Sequence, residues 1–204
     1  MMALGRLPQH AVTDVRVGCH CTLLTTGWVM EQIREQSGGD RPATKRKRIL
    51  MVCTGNICRS PTAHGVLEKM VADAGLTGRI EVDSAGTHGY HVGEAPDRRS
   101  QAHAARRGYD LSRQRARQLQ AEDFRAFDQV LLMDGANESA ARRICPEGEW
   151  HKVHRLTDFC TEHTAREVPD PYYGGDRGFE DVLDLVEDAC AGLLATLGMA
   201  PRKG

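Results

Sequence analysis

Long hydrophobic runs are missing from this 204-residue sequence. No apolar stretch approaches the roughly 18 residues that a membrane-crossing helix needs, so no membrane partner is expected. The basic-then-apolar layout of a signal peptide is missing too, because CTLLTTGWVM is broken by threonines and a glycine and leads into EQIREQ. Excess charge of either sign is absent: the formal net charge is −1, which by itself argues neither for nor against nucleic acid, and none is expected as a partner. The seven cysteines form an odd set without the spacing of a disulfide scaffold, which points to a reducing, cytoplasmic setting. Cys19, His20 and Cys21 stand together, but no further ligands lie nearby at zinc spacing, so no metal site is expected there.

Texture divides the chain. Residues 1–47 lack sustained periodicity and end in the polar, basic SGGDRPATKRKR, so they read as a disordered N-terminal extension or a start assigned too far upstream. The KRKR run reads as solvated linker rather than an anion-binding patch. Residues 48–200 read as one folded domain. There, Ala63, Val66, Leu67, Met70, Val71 and Ala74 recur on one helical face, with Ser60 and Pro61 placed as N-cap and first-turn proline and Gly75 as the stop. RIEVDSAG, FDQVLLMD and KVHRL read as strands after the first, ILMV. Helices are predicted over Pro96–Arg107, over NESAARRI and from Phe179 onward. Four alternations of strand and helix imply an α/β fold with a four-stranded parallel sheet flanked by helices, a flavodoxin-like three-layer sandwich. Ligands of such sheets bind at the carboxyl ends of the strands.

The loop Cys53–Arg59 lies at such an end. A short turn feeding a helix N-terminus points backbone N–H groups inward, and the helix dipole adds to their pull on an anion. Thr54 belongs to this cradle. Gly55 lets the backbone curl, and Asn56 tolerates left-handed angles. Arg59 supplies a planar fork for two phosphate oxygens. Cys53 at the floor of such a field favours the thiolate, and a thiolate beneath a phosphoryl group is a nucleophile aimed at phosphorus. Ser60 can donate its hydroxyl to that sulfur. No metal or cofactor is needed, since backbone dipoles and Arg59 supply the positive field.

VCTGNICRSP resembles the nucleophile loop of the low-molecular-weight protein tyrosine phosphatases. DSAGT (Asp83–Thr87), EDFRAFDQVLLMD (Glu122–Asp134) and DPYYGG (Asp170–Gly175) extend the resemblance in the same order from Arg48 to about Leu197. It implies hydrolysis of phosphotyrosine through a phosphocysteine on Cys53, with Arg59 holding the phosphate and Asp170 acting as general acid and then general base. Pro171 would stiffen the acid loop. It further implies that Tyr172 and Tyr173, joined by Tyr90 and Ile57, wall a slot for the phenyl ring. Asn56, Ser60 and Ser84 are implied as hydrogen-bonded supports of the loop, and Cys58 as a reversible disulfide partner of Cys53. The family's supporting histidine is missing from LSRQRARQ, where Arg113 or Arg115 stands as its replacement. Expected partners are tyrosine-phosphorylated proteins, a tyrosine kinase of surface-polysaccharide export among them in a bacterial source, and the chain is expected to be a monomer.

Three rivals share features of this pattern. An arsenate reductase on the same fold would need two further cysteines after the third strand, where LLMDGAN has none. A protein-arginine phosphatase typically carries threonine where Ile57 stands. A flavodoxin-like electron carrier would share TGN after the first strand but has no use for Cys53 or Arg59.

Overall fold

The computed structural model describes residues 46–199 apart from 173 and 174. The expected extension as far as residue 45, its Cys-His-Cys cluster and Tyr173 lie outside the described residues. Four strands, β1 (Lys47–Cys53), β2 (Ile80–Gly86), β3 (Gln129–Leu132) and β4 (Val153–Arg155), form a sheet in the order β2-β1-β3-β4. Every pairing is parallel, so the expected sheet is the observed one. The helices are α1 (Arg59–Asp73), α2 (Arg98–Arg106), α3 (Asp123–Ala126), α4 (Gly135–Arg142) and α5 (Asp176–Thr196).

Alternation along β1 assigns each residue to a layer. Ile49 and Met51 join Leu67, Val186 and Leu193 in the core beneath α1 and α5. Leu50 and Val52 join Phe124, Phe127 and Leu132 on the opposite face. Both faces of β1 are buried from Ile49 to Cys53, which is why Ile49–Val52 is continuously apolar.

Element ends differ from the expectations in instructive ways. The helix α1 begins at Arg59, Cys58 occupies the N-cap position without a side-chain cap bond, and Ser60 is already inside the first turn. The Ser60 hydroxyl is committed to the Cys53 sulfur and the Ala85 carbonyl instead of capping. Gly75 does end the helix, at φ 68°. Lys47 and Arg48, read as linker, are the first residues of β1. The Arg48 guanidinium meets Glu81 at 3.1 Å and stacks on Phe127, so two of the four KRKR cations serve the sheet. The four-residue α3 is too short to show helical periodicity in sequence.

Candidate active site

Cys53 is the last residue of β1, and β1 lies between β2 and β3, where chain connections diverge to either side. Three strand ends therefore surround the loop from Cys53 to Arg59. Asn56 holds it from behind. At φ 55° it is the one described non-glycine residue with positive φ, and only 2 % of it is exposed. Its Nδ2 donates to Ser60 Oγ at 3.0 Å and to Ser84 Oγ at 2.9 Å, while its Oδ1 accepts from Arg117 N at 2.9 Å. Its own backbone N–H donates to Cys53 Sγ at 3.3 Å, and Ser60 Oγ donates to the same sulfur at 3.0 Å. Two donors thus converge on one sulfur.

Gly86 closes the back of this arrangement. A Cβ there would stand 2.8 Å from the Thr54 carbonyl and 3.0 Å from Asn56 N, so the strand end touches the loop backbone directly. Gly55 likewise serves close approach, since its missing side chain leaves room for the His91 ring.

Arg59 is 97 % buried, its relative exposure being 3 %. Its Nη1 binds the Asp134 carboxylate and donates to the Val168 carbonyl at 3.2 Å; its Nη2 donates to Asp170 Oδ2 at 2.9 Å and Thr54 Oγ1 at 3.2 Å. Burial alone would depress the guanidinium, but the Cys53 sulfur and the two carboxylates reverse the shift and hold it charged. Asp134 is itself fixed as the N-cap of α4, accepting from Asn137 N at 2.7 Å.

A cavity of about 330 Å³ opens above the sulfur. Cys53, Thr54, Gly55, Ile57, Cys58 and Arg59 line it from the loop, Tyr90 and His91 from the segment after β2, and Asp170 and Tyr172 from the segment before α5. Tyr90 stacks on His88 at 5.1 Å and is 74 % exposed, a free-standing wall at the mouth. The side chains of Asn56, Ser60 and Ser84 lie behind the loop, buried. Cys58 is buried as well, and burial pushes its thiol up to about 12.

The expected substitutes for a supporting histidine are not where support is needed. Arg113 and Arg115 are exposed, and Arg115 Nη1 donates to the Ser112 and Gln114 carbonyls. A histidine does reach the network, but from α1: His64 Nδ1 lies 3.4 Å from Ser84 Oγ. Asp134, His64 and His91 were all missed in the sequence. Only Asp134, at the end of an apolar strand beside β1, carried a usable signal there.

A buried cysteine under two donors, an arginine beside it and a carboxylate at the rim thus meet in one cavity at the carboxyl end of an α/β sheet. The family profile for low molecular weight phosphotyrosine protein phosphatase matches residues 48–202. A Synechocystis chain is 49 % identical over 152 residues, covering 74 % of this chain and 96 % of the relative. The low molecular weight protein-tyrosine-phosphatase of Streptomyces coelicolor is 46 % identical over 153 residues, covering 74 % and 93 %. The crystal structure of a protein tyrosine phosphatase from Entamoeba histolytica with Hepes in its active site superposes with a TM-score of 0.73 at 41 % identity, covering 74 % and 97 %. The chain belongs to the low molecular weight phosphotyrosine protein phosphatase family.

Proposed function

We propose that this chain hydrolyses phosphotyrosine in proteins, with Cys53 as nucleophile, Arg59 as phosphate anchor and Asp170 as general acid and base. The observation that carries this reading is the convergence on one cavity of the doubly hydrogen-bonded Cys53 sulfur, the buried Arg59 fork and the Asp170 carboxylate. The phosphoryl group enters above Cys53, and its oxygens take the loop N–H groups and the Arg59 fork now engaged by carboxylates. The thiolate attacks phosphorus as the P–O bond to the ring breaks, and protonated Asp170 delivers its proton to the departing phenolate oxygen. The Asp170 carboxylate then takes a proton from water, whose oxygen attacks the phosphocysteine and releases phosphate and thiolate.

Ile57, Tyr90 and Tyr172 flank the cavity as apolar walls suited to a phenyl ring. The same Ile57 disfavours phosphoarginine. The segment after β3 presents the buried Met133 and no cysteine, which disfavours an arsenate reductase. We place the enzyme in the cytoplasm as a monomer acting on tyrosine-phosphorylated proteins; among the described residues, all five cysteines are free thiols and no helix is long and apolar enough to cross a membrane. Under peroxide, Cys53 forms a sulfenic acid, and the Cys58 thiol displaces water from it to give a disulfide.

The test is hydrolysis of a phosphotyrosine peptide in EDTA by wild type and Cys53→Ser, with phosphoserine and phosphoarginine peptides alongside. Turnover of phosphotyrosine alone, abolished in the variant, is expected. Turnover that survives Cys53→Ser removes the cysteine mechanism, and turnover confined to phosphoarginine moves the chain to the other substrate.

A further inference from the structure

Asp170 stands 49 % exposed at the rim, and its ion pair with Arg59 is an anchor that a bound phosphate displaces. Its Oδ2 rests on Arg59 Nη2, the group that a bound phosphate must claim. Once phosphate takes Arg59, a backbone contact still fixes the carboxylate: Oδ1 accepts from Tyr172 N at 3.1 Å, in a turn two residues long. The orientation of the Tyr172 peptide therefore decides where the acid points.

The same residue is gripped on the other side of its Cα, through its carbonyl. Arg99 Nη1, on the first turn of α2, donates to the Tyr172 carbonyl at 3.1 Å. The guanidinium also lies over the rings of Tyr172, at 5.5 Å, and Phe179, at 4.9 Å, one residue group on each side of the acid loop's junction with α5. Arg99 is itself immobilised. Its Nε and Nη2 donate to the two carboxylate oxygens of Asp97 at 3.1 and 2.9 Å, and its backbone N–H donates to Asp97 Oδ1 at 2.8 Å. Asp97 N in turn donates to the Ile57 carbonyl at 2.8 Å. An unbroken path thus runs from the nucleophile loop through Asp97 and Arg99 to the backbone that carries the acid.

Resting on the assignment of Asp170 as general acid, we propose that Arg99 is the positioning residue of that acid, holding the Tyr172 backbone through its carbonyl so that the Tyr172 N–H keeps Asp170 aimed at the leaving oxygen after phosphate has taken Arg59. It touches neither phosphorus nor the leaving oxygen, and its effect is felt only where a proton must be delivered.

The experiment measures kcat/KM for a series of aryl phosphates whose phenols range from weakly to strongly acidic, in wild type, Asp170→Asn, Arg99→Gln, Arg99→Lys and the double variant Arg99→Gln/Asp170→Asn. Poor leaving groups need the acid; good ones do not. Arg99→Gln is expected to lose about 10- to 100-fold on phenyl phosphate, the scale set by misplacement of a catalytic group, and little on the most acidic phenol. Arg99→Lys is expected to follow it, because an ammonium cannot span Asp97 and the Tyr172 carbonyl in one plane. In the Asp170→Asn background the Arg99 change is expected to cost nothing more. An equal loss on every leaving group, a fully additive double variant, or full rescue by lysine overturns the proposal. A normal leaving-group profile in Asp170→Asn overturns instead the acid assignment on which it rests.

Discussion

The side-chain amide of Asn56 joins Ser60, Ser84 and the Arg117 backbone, so Asn56→Ala removes the donor to two buried hydroxyl oxygens and strands the Arg117 N–H, while forcing alanine to φ 55°. We expect a loss of about 2–4 kcal/mol, from an unsatisfied polar group plus left-handed strain, read by urea unfolding. Turnover should fall with it, since the same amide sets the Ser60 hydroxyl that serves Cys53. Cys58→Ala should leave phosphatase activity near wild type. After a pulse of peroxide, however, thiol should restore the wild type and fail to restore the variant, because sulfenic acid on Cys53 then proceeds to sulfinic acid. His64 gives a pH signature. Burial lowers its pKa below the ordinary 6.5, so the unfolded chain binds the proton more readily. Its contribution is complete above pH 6.5 and is lost as pH falls toward the folded-state value. The melting-temperature gap between pH 7.5 and pH 5 should therefore narrow in His64→Gln. Cys53 and Arg59 were legible because their chemistry is compressed into seven consecutive residues. His64 and Arg99 were not, because each acts on a partner 20 or 73 residues away and looks like ordinary helix surface in sequence.

Among elements, α5 carries the tightest demands. Gly192 passes so close to the turn after β4 that a Cβ would lie 1.9 Å from the Phe159 carbonyl. Gly192→Ala should destabilise by about 1–3 kcal/mol through overpacking, despite alanine's better helix propensity. On its other side α5 is clipped to α2: Arg107 meets Glu180, Asp184 and Glu187, and Tyr109 donates to Glu187 at 2.9 Å. The apolar stripe of α5 was readable from Phe179, since Val182, Leu183, Val186, Cys190, Leu193 and Leu194 are all buried. Its first turn, Asp176–Gly178, was not, because exposed polar residues there carry no periodic signal. The two central strands, β1 and β3, were readable for the opposite reason: burial on both faces over Ile49–Val52 and Val130–Leu132 leaves little but aliphatic side chains. The N-terminus of α1 misled, since Ser-Pro suggests a cap whereas the serine belongs to the nucleophile.

At the scale of the whole molecule, an oxyanion should act as a staple. Phosphate or vanadate bound at Cys53–Arg59 joins groups that the native state alone assembles, and a ligand at 100 times its Kd adds about 2.7 kcal/mol to stability. Differential scanning fluorimetry should show a rise in melting temperature for wild type and none for Arg59→Ala. The site that such a ligand would report is distributed over nearly the full domain. Arg59 leads the first helix, whereas its partner Asp170 lies 111 residues further on, just before the last. A ribosome therefore delivers Cys53 and Arg59 long before Asp170, which follows only after β1 to β4 have been made. Nascent chains and fragments cut short of Asp170 hold Cys53 and Arg59 without that carboxylate. The same separation makes the segment between β4 and α5 a natural seam for a split enzyme, whose two halves would regain turnover only when brought together.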